Sequence, residues 1–241
     1  MAWITPKTDW SAADGVRDTD FNRIEGNIFD LHGKFLHTDV IAVVSTSGND
    51  TTGNGTSGAP FRTFARALSA VPKNLNGHTV TIQIVAGSYA EHVTIADFSG
   101  GEVVLANPSG AAVTVSGLTV ENCTVLVDGV HLNVGSNGIF VGAKGLLFSA
   151  SSNITVNGAA EGVTLRYGGK LEVTTTLTIS NATRALQVQY NSDASVATLA
   201  GTNNTIGIYA YNSKVFVSTL QLTAASRIIN ENSAIYTRGV S

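Results

Sequence analysis

Charge is scarce in this chain. Asp, Glu, Lys and Arg make up 13% of its 241 residues, about half the share of an ordinary globular domain. The net charge is −3, and no cluster of Lys or Arg forms the basic stripe that a nucleic-acid binder presents. A single cysteine, Cys123, excludes an internal disulfide; its neighbours Val120, Val125 and Val127 read as core, so the thiol is expected to be a small packing group rather than a nucleophile. No stretch approaches the roughly 20 apolar residues of a membrane span. Met1 to Pro6 lack the basic start and apolar run of a signal peptide, so assembly in the cytoplasm is expected. Yet 43% of residues are hydrophobic, which excludes a disordered chain. Thr, Ser, Asn and Gly carry the polarity, a mix that suits short strands joined by tight turns.

Those strands repeat. Apolar-alternating runs begin at Thr79, Glu102, Thr124, Leu146, Lys170, Ala194, Lys214 and Ala234, a recurrence with a near-constant period. Within each period a second strand follows, such as Leu118–Val120, Ile154–Val156 or Leu177–Ile179, and then a third, such as Ile139–Val141, Val163–Leu165 or Leu186–Val188. Three strands in about 22 residues make one coil of a parallel β-helix, and about seven coils are expected. A β-sandwich also uses short, evenly spaced strands and is the alternative. Turns at a constant phase favour the solenoid: Asn191-Ser192, Asn212-Ser213 and Asn232-Ser233 each precede a first strand, and stacked Asn amides bond along such a column.

Two helices flank the repeat. Pro60 is placed to open one; Phe61, Phe64, Leu68 and Val71 give it an apolar face and Pro72 closes it, so that it caps the open end of the stack. Residues 18–36 read as another, capped by Asp18 or Thr19. Phe21, Ile24, Ile28, Leu31 and Phe35 follow the 3-4 spacing of a coiled-coil seam, with Asn22, Arg23, Glu25, Asn27 and Asp30 off it. The seam serves either a trimer of chains or packing onto the chain's own body. Trp3, Ile4, Pro6 and Trp10 lie in a segment too short to bury them, as a docking peg would, or they pack on the same helix.

Several motifs fail on context. Gly53 to Gly58 matches G-x-G-x-x-G but lacks a strand directly before it and an acid about 20 residues on, and no Walker lysine follows. Asp50, Thr52 and Asn54 lack the closing acidic ligand of a calcium loop. The five histidines show no metal-ligand spacing, so no metal or cofactor is expected. Glycan-cleaving enzymes need paired carboxylates; the acids in the second half of the chain are scattered, and Glu172 with Asp193 is the one pair separated by close to a full period. Tyr167, Tyr190 and Tyr211 recur just before the turns. They form either a stack that meets sugar rings or, because Tyr167 and Tyr190 share strand parity with Leu165, Leu186 and Val188, a buried ladder. The parity favours the buried ladder.

Two stretches resemble known proteins. Trp3-Ile4-Thr5-Pro6-Lys7-Thr8-Asp9-Trp10 with Asp20-Phe21-Asn22-Arg23-Ile24-Glu25-Gly26-Asn27-Ile28 resembles the N-terminal segment of structural proteins from phages of Gram-positive bacteria. Gly48-Asn49-Asp50, Gly53-Asn54-Gly55 and Pro60 to Leu68 look like the entry to the pectate-lyase-like, right-handed parallel β-helix of phage tail fibres and tailspikes. The resemblance implies a homotrimeric virion appendage. Residues 1–36 would anchor it to other virion proteins and trimerise it, 37–78 would be linker and capping helix, and 79–241 the β-helix that meets a host-surface glycan. Tailspikes of this kind include glycan-degrading enzymes; the shortage of acids here favours adhesion, with a decoration or neck fibre as a further alternative.

Overall fold

In the computed structural model, which describes residues 18–237, the chain winds into a parallel β-solenoid of about seven turns. Three faces run its length. Face one stacks Val40–Val44, Thr79–Ile84, Glu102–Ala106, Thr124–Asp128, Leu146–Ser149, residues 170–173, 193–196, 214–217 and Ala234–Thr237. Face two stacks 87–89, 113–115, His131–Val134, Ile154–Asn157, 176–180, 198–201 and 219–222. Face three stacks 92–96, 117–121, Ile139–Gly142, Glu161–Leu165, Arg184–Gln189, 206–211 and 226–231. Every one of these pairings is parallel, which removes the sandwich, an antiparallel architecture. Each face satisfies its backbone groups on the rungs above and below.

The core is a set of aligned columns. On face one Val80, Val103, Val125, Leu147, Leu171, Ala194 and Val215 lie in register and are all buried. β-branched and leucine side chains stack at the rung spacing, so each shields the next, and their summed burial is the main stabilising term. Cys123 belongs to this interior. Its Sγ donates to the Ile95 carbonyl at 3.3 Å, and burial pushes its thiol up to about 11.

Face one begins at Val40–Val44, inside the segment read as linker. In the run Val-Ile-Ala-Val-Val, Ala42 and Val44 face the core, and on the outer side Ile41 stays exposed while Val43 is covered. Val43 bonds through its N–H to the Gly55 carbonyl and through its carbonyl to the Phe61 N–H, and its side chain is buried under that loop. The G-x-G-x-x-G stretch is therefore packing: Gly55, at φ +82°, brings its Cα against the Phe61 ring, where a Cβ would stand 2.6 Å from a ring carbon. Asn49 and Asn54 accept local N–H groups, as turn residues do.

Helix α1 spans Asp18–His32 and helix α2 spans Phe64–Ser69. The capping helix, α2, differs from its expectation in where it starts. Pro60 does not open it, because Phe61 is drawn into a parallel bridge with Val44. Thr63 is the N-cap, its hydroxyl accepting from the Arg66 N–H at 3.1 Å. Phe61, Phe64, Leu68 and Val71 are all buried as the apolar face required, although only two lie within the helix. Two carboxylates from outside fix its start. Glu91 accepts from the Phe64 and Ala65 N–H groups, both at 2.8 Å. Asp50 accepts from the Arg62 and Thr63 N–H groups at 2.7 and 3.1 Å and from the Thr63 hydroxyl at 2.9 Å. Desolvation raises the Asp50 pKa, but these hydrogen bonds outweigh it and hold the carboxyl below its usual range. Asp50 is thus occupied by the helix, which removes it from any calcium loop.

Helix α1 ends at His32, short of the expected Leu36. Gly33 follows it, and Leu36 then donates to the Asn74 carbonyl at 2.9 Å and enters the core. Phe35 is consequently half-buried beside Asn74 and leaves the helical seam. Phe21, Ile24, Ile28 and Leu31 are 57%, 48%, 61% and 47% exposed, so the seam does not pack on the described body. Off the seam, Phe29 is also exposed and Asn27 is buried.

Candidate functional site

The turn that carries the chain from face three to face one holds the most unusual backbone in the described part of the molecule. Following the paired residues one or two steps past each strand aligns Asp97, Asn122, Ala143, Tyr167, Tyr190, Asn212 and Asn232 in a single column. All seven have φ between +45° and +61°. Asp and Asn tolerate that left-handed conformation, whereas other side chains lose about 1 kcal/mol in it. At both ends the column is a side-chain ladder: Asn122 Nδ2 donates to Asp97 Oδ1 at 2.9 Å, and Asn232 Nδ2 to Asn212 Oδ1 at 2.6 Å. In the middle it is not.

Tyr167 and Tyr190 occupy those middle positions. Their rings stack at 5.4 Å between centroids and 8° between planes. Tyr167 is 63% and Tyr190 43% exposed, so the ladder is not buried. Strand parity failed because the left-handed residue rotates the side chain out of the strand's alternation. Tyr211 is not in the same column. It pairs with Gln189, one residue earlier, and meets Tyr190 edge-on at 5.7 Å and 73°. Asn191 likewise misses the asparagine column. Gln189 and Asp193 pair with Tyr211 and Lys214, so the turn between them has three residues in one rung and two in the next.

Beside the tyrosines, the outer surface of face three carries a polar network that sequence reading did not single out. Glu161 is its centre. It accepts from the Thr164 hydroxyl at 3.0 Å and faces Arg184 Nη1 at 3.2 Å and Arg166 Nη2 at 3.6 Å. The Gln187 amide lies between Glu161 and Arg166 Nη2, 3.0 Å from each. Arg166 Nε donates to Gln189 Oε1 at 3.0 Å, and the Arg184 guanidinium lies 5.4 Å over the Tyr209 ring. Thr164 and Gln187 point outward, yet these long side chains bury them. The signal was in the spacing: Glu161 and Arg184, Arg166 and Gln189, and Thr164 and Gln187 are each separated by one full turn of the solenoid.

The carboxylates Glu172 and Asp193 do not face each other. Glu172 pairs with Ser195, and Asp193 pairs with Lys170 on one side and Lys214 on the other. The two acids belong to different columns of the outer surface of face one, where a groove of about 390 Å³ contains them together with Phe216 and Tyr236. Asp193 thus stands in register between Lys170 and Lys214 rather than beside Glu172.

Trp3, Ile4, Pro6 and Trp10 lie outside the described residues. Among the described residues no three of His, Cys, Asp and Glu come together as metal ligands, and no helix is long and apolar enough to cross a membrane. Comparison with protein-family models, with curated proteins and with solved structures yields no match.

Proposed function

We propose that this chain is a trimeric fibre or spike of a bacteriophage virion that attaches to a glycan on the host surface through the side of its solenoid. One observation carries the reading. Helix α1 leaves Phe21, Ile24, Ile28 and Leu31 each about half exposed or more, a seam that other copies of the same helix complete in a parallel coiled coil. The resemblance of the segments around Trp3 and Asp20 to phage structural proteins supports a virion setting. The stacked tyrosines and the amide–guanidinium network of face three support adhesion, since aromatic faces and pre-ordered planar polar groups suit sugar rings. Adhesion is favoured over glycan cleavage because acidic residues are few and scattered in the solenoid repeat.

Two measurements on the purified chain test this. Light scattering coupled to size exclusion is expected to give three times the chain mass of 25.0 kDa, and the fluorescently labelled protein is expected to decorate host cells. A monomer sinks the seam. A trimer that decorates no cell and releases no sugar from cell walls points to a decoration fibre, and release of reducing sugar to a degrading spike.

A further inference from the structure

The column of left-handed residues contains a gap. Below Tyr167, in the adjoining rung, the position is Ala143. Its neighbours on either side are Gly142 and Lys144. One rung further along, Glu121 and Asn122 stand at the corresponding places. Tyr190 covers one face of the Tyr167 ring, and the methyl of Ala143 is all the side chain that its column offers to the other. The higher exposure of Tyr167, 63% against 43% for Tyr190, follows from that uncovered face. Phe140 leans over Gly142, whose added Cβ would stand 2.5 Å from the ring and 3.3 Å from Glu121 Oε1. The small residues Gly142 and Ala143 thus leave a notch one rung deep between Tyr167 and Asn122, with Phe140 and Glu121 beside Gly142.

Nothing in the fold requires the tyrosine. Asn or Asp fills the same position in four of the seven turns, with the same backbone and with ladder hydrogen bonds that tyrosine cannot make. Tyr167 therefore works against its own backbone preference and is left exposed beside a gap.

We infer that this notch is a sugar subsite, in which one uncharged pyranose ring stacks on the free face of Tyr167 and presents hydroxyls to Asn122, Glu121 and Arg166. The inference rests on the adhesion reading above and names where that adhesion occurs and which glycans it accepts. A ring held by stacking needs no charge of its own, and Arg166 is already engaged by Glu161 and Gln189. An anionic sugar would have to draw Arg166 from those partners before gaining an ion pair there.

The test uses the full chain on an array of neutral and anionic oligosaccharides, with the variants Tyr167→Asn and Ala143→Tyr. Tyr167→Asn removes the platform while restoring the residue that the turn prefers, so its melting temperature is expected to be unchanged or higher. Ala143→Tyr extends the stack and fills the gap. The expected result is a neutral glycan bound by the parent chain and weakened at least tenfold by both variants. Binding of anionic glycans alone, binding that survives both variants, or the absence of any neutral ligand overturns the assignment. If both variants still decorate host cells like the parent, the notch falls while adhesion stands. If neither parent nor variants bind cells, the broader reading has failed first.

Discussion

Asn204 is the residue whose loss should damage the solenoid most for its size. It sits at the corner between faces two and three, 4% exposed, and spans two rungs with one side chain. Its Oδ1 accepts from the Ala182 N–H at 3.0 Å, and its Nδ2 donates to the Ile179 carbonyl at 2.8 Å. Ala182 and Ile179 are themselves buried, so no water replaces the amide. Asn204→Ala then leaves a donor and an acceptor unpaired. At about 1–3 kcal/mol for each orphaned group, the expected loss is about 4 kcal/mol, or about 8–16 °C in melting temperature for a chain of this length. Asn157 is the control. It accepts from Asn181 Nδ2 at 2.8 Å but is exposed, so Asn157→Ala should change stability by no more than about 0.5 kcal/mol. Urea unfolding followed by circular dichroism measures both. If the two variants lose stability to within about 1 kcal/mol of each other, the buried amide is not a bracket between rungs and the reasoning is wrong.

Three further outcomes follow from other parts of the molecule. Phe21→Asp combined with Ile28→Asp should reduce the light-scattering mass to that of one chain while the circular dichroism of the solenoid persists; an unchanged mass refutes the seam. Cys123, with its thiol at about 11, should resist alkylation at pH 8 in the native chain, because about one molecule in a thousand is thiolate there. Its raised value also means that the buried thiol favours the folded state up to about pH 9, the unfolded value, and that this contribution fades as pH rises towards about 11; prompt native-state labelling by iodoacetamide at pH 8 argues against burial. Asp50 has the opposite sign. Its depressed pKa stabilises the folded chain above the ordinary carboxyl value of 3.8 and loses that effect as pH falls through the lower, folded value. The melting temperature of the parent should therefore drop on acidification below about pH 4 more than that of Asp50→Asn, and equal slopes refute the role of Asp50 at the helix start.

The three-faced repeat was legible because inward positions along a strand alternate with period two, and because every rung must present the same columns to its neighbours. What failed were statements that depend on a turn's length. Glu172 and Asp193 looked paired because their separation is close to one period, but the strands set Lys170, not Glu172, against Asp193. A shift of two residues keeps a side chain outward yet moves it to another column. The same sensitivity separated Tyr211 from Tyr167 and Tyr190, and Asn191 from Asn212. The start of α2 was misplaced because a local rule, proline at a first helical position, lost to a non-local one, the bridge from Phe61 to Val44. Asp50 and Glu91 reach that helix from 13 and 26 residues away, a distance at which no capping motif exists to be recognised.

This sensitivity turns the corners into the informative part of the chain. Core columns accept any apolar side chain of suitable volume, so their composition says little about function. A left-handed turn position is more demanding: Asn and Asp are the least costly residues with a side chain there, and at the column's two ends they also bond to one another. A repeat shaped by stability alone would carry them at every rung. The three rungs that depart from them are consecutive, Ala143, Tyr167 and Tyr190, and the departures are complementary in shape, one missing side chain beside two large flat ones. Drift towards cheaper residues would scatter such changes and would not favour tyrosine. Their adjacency, next to the Glu161–Arg166–Gln189 network on the same side of the solenoid, is what places the proposed adhesive surface at this corner.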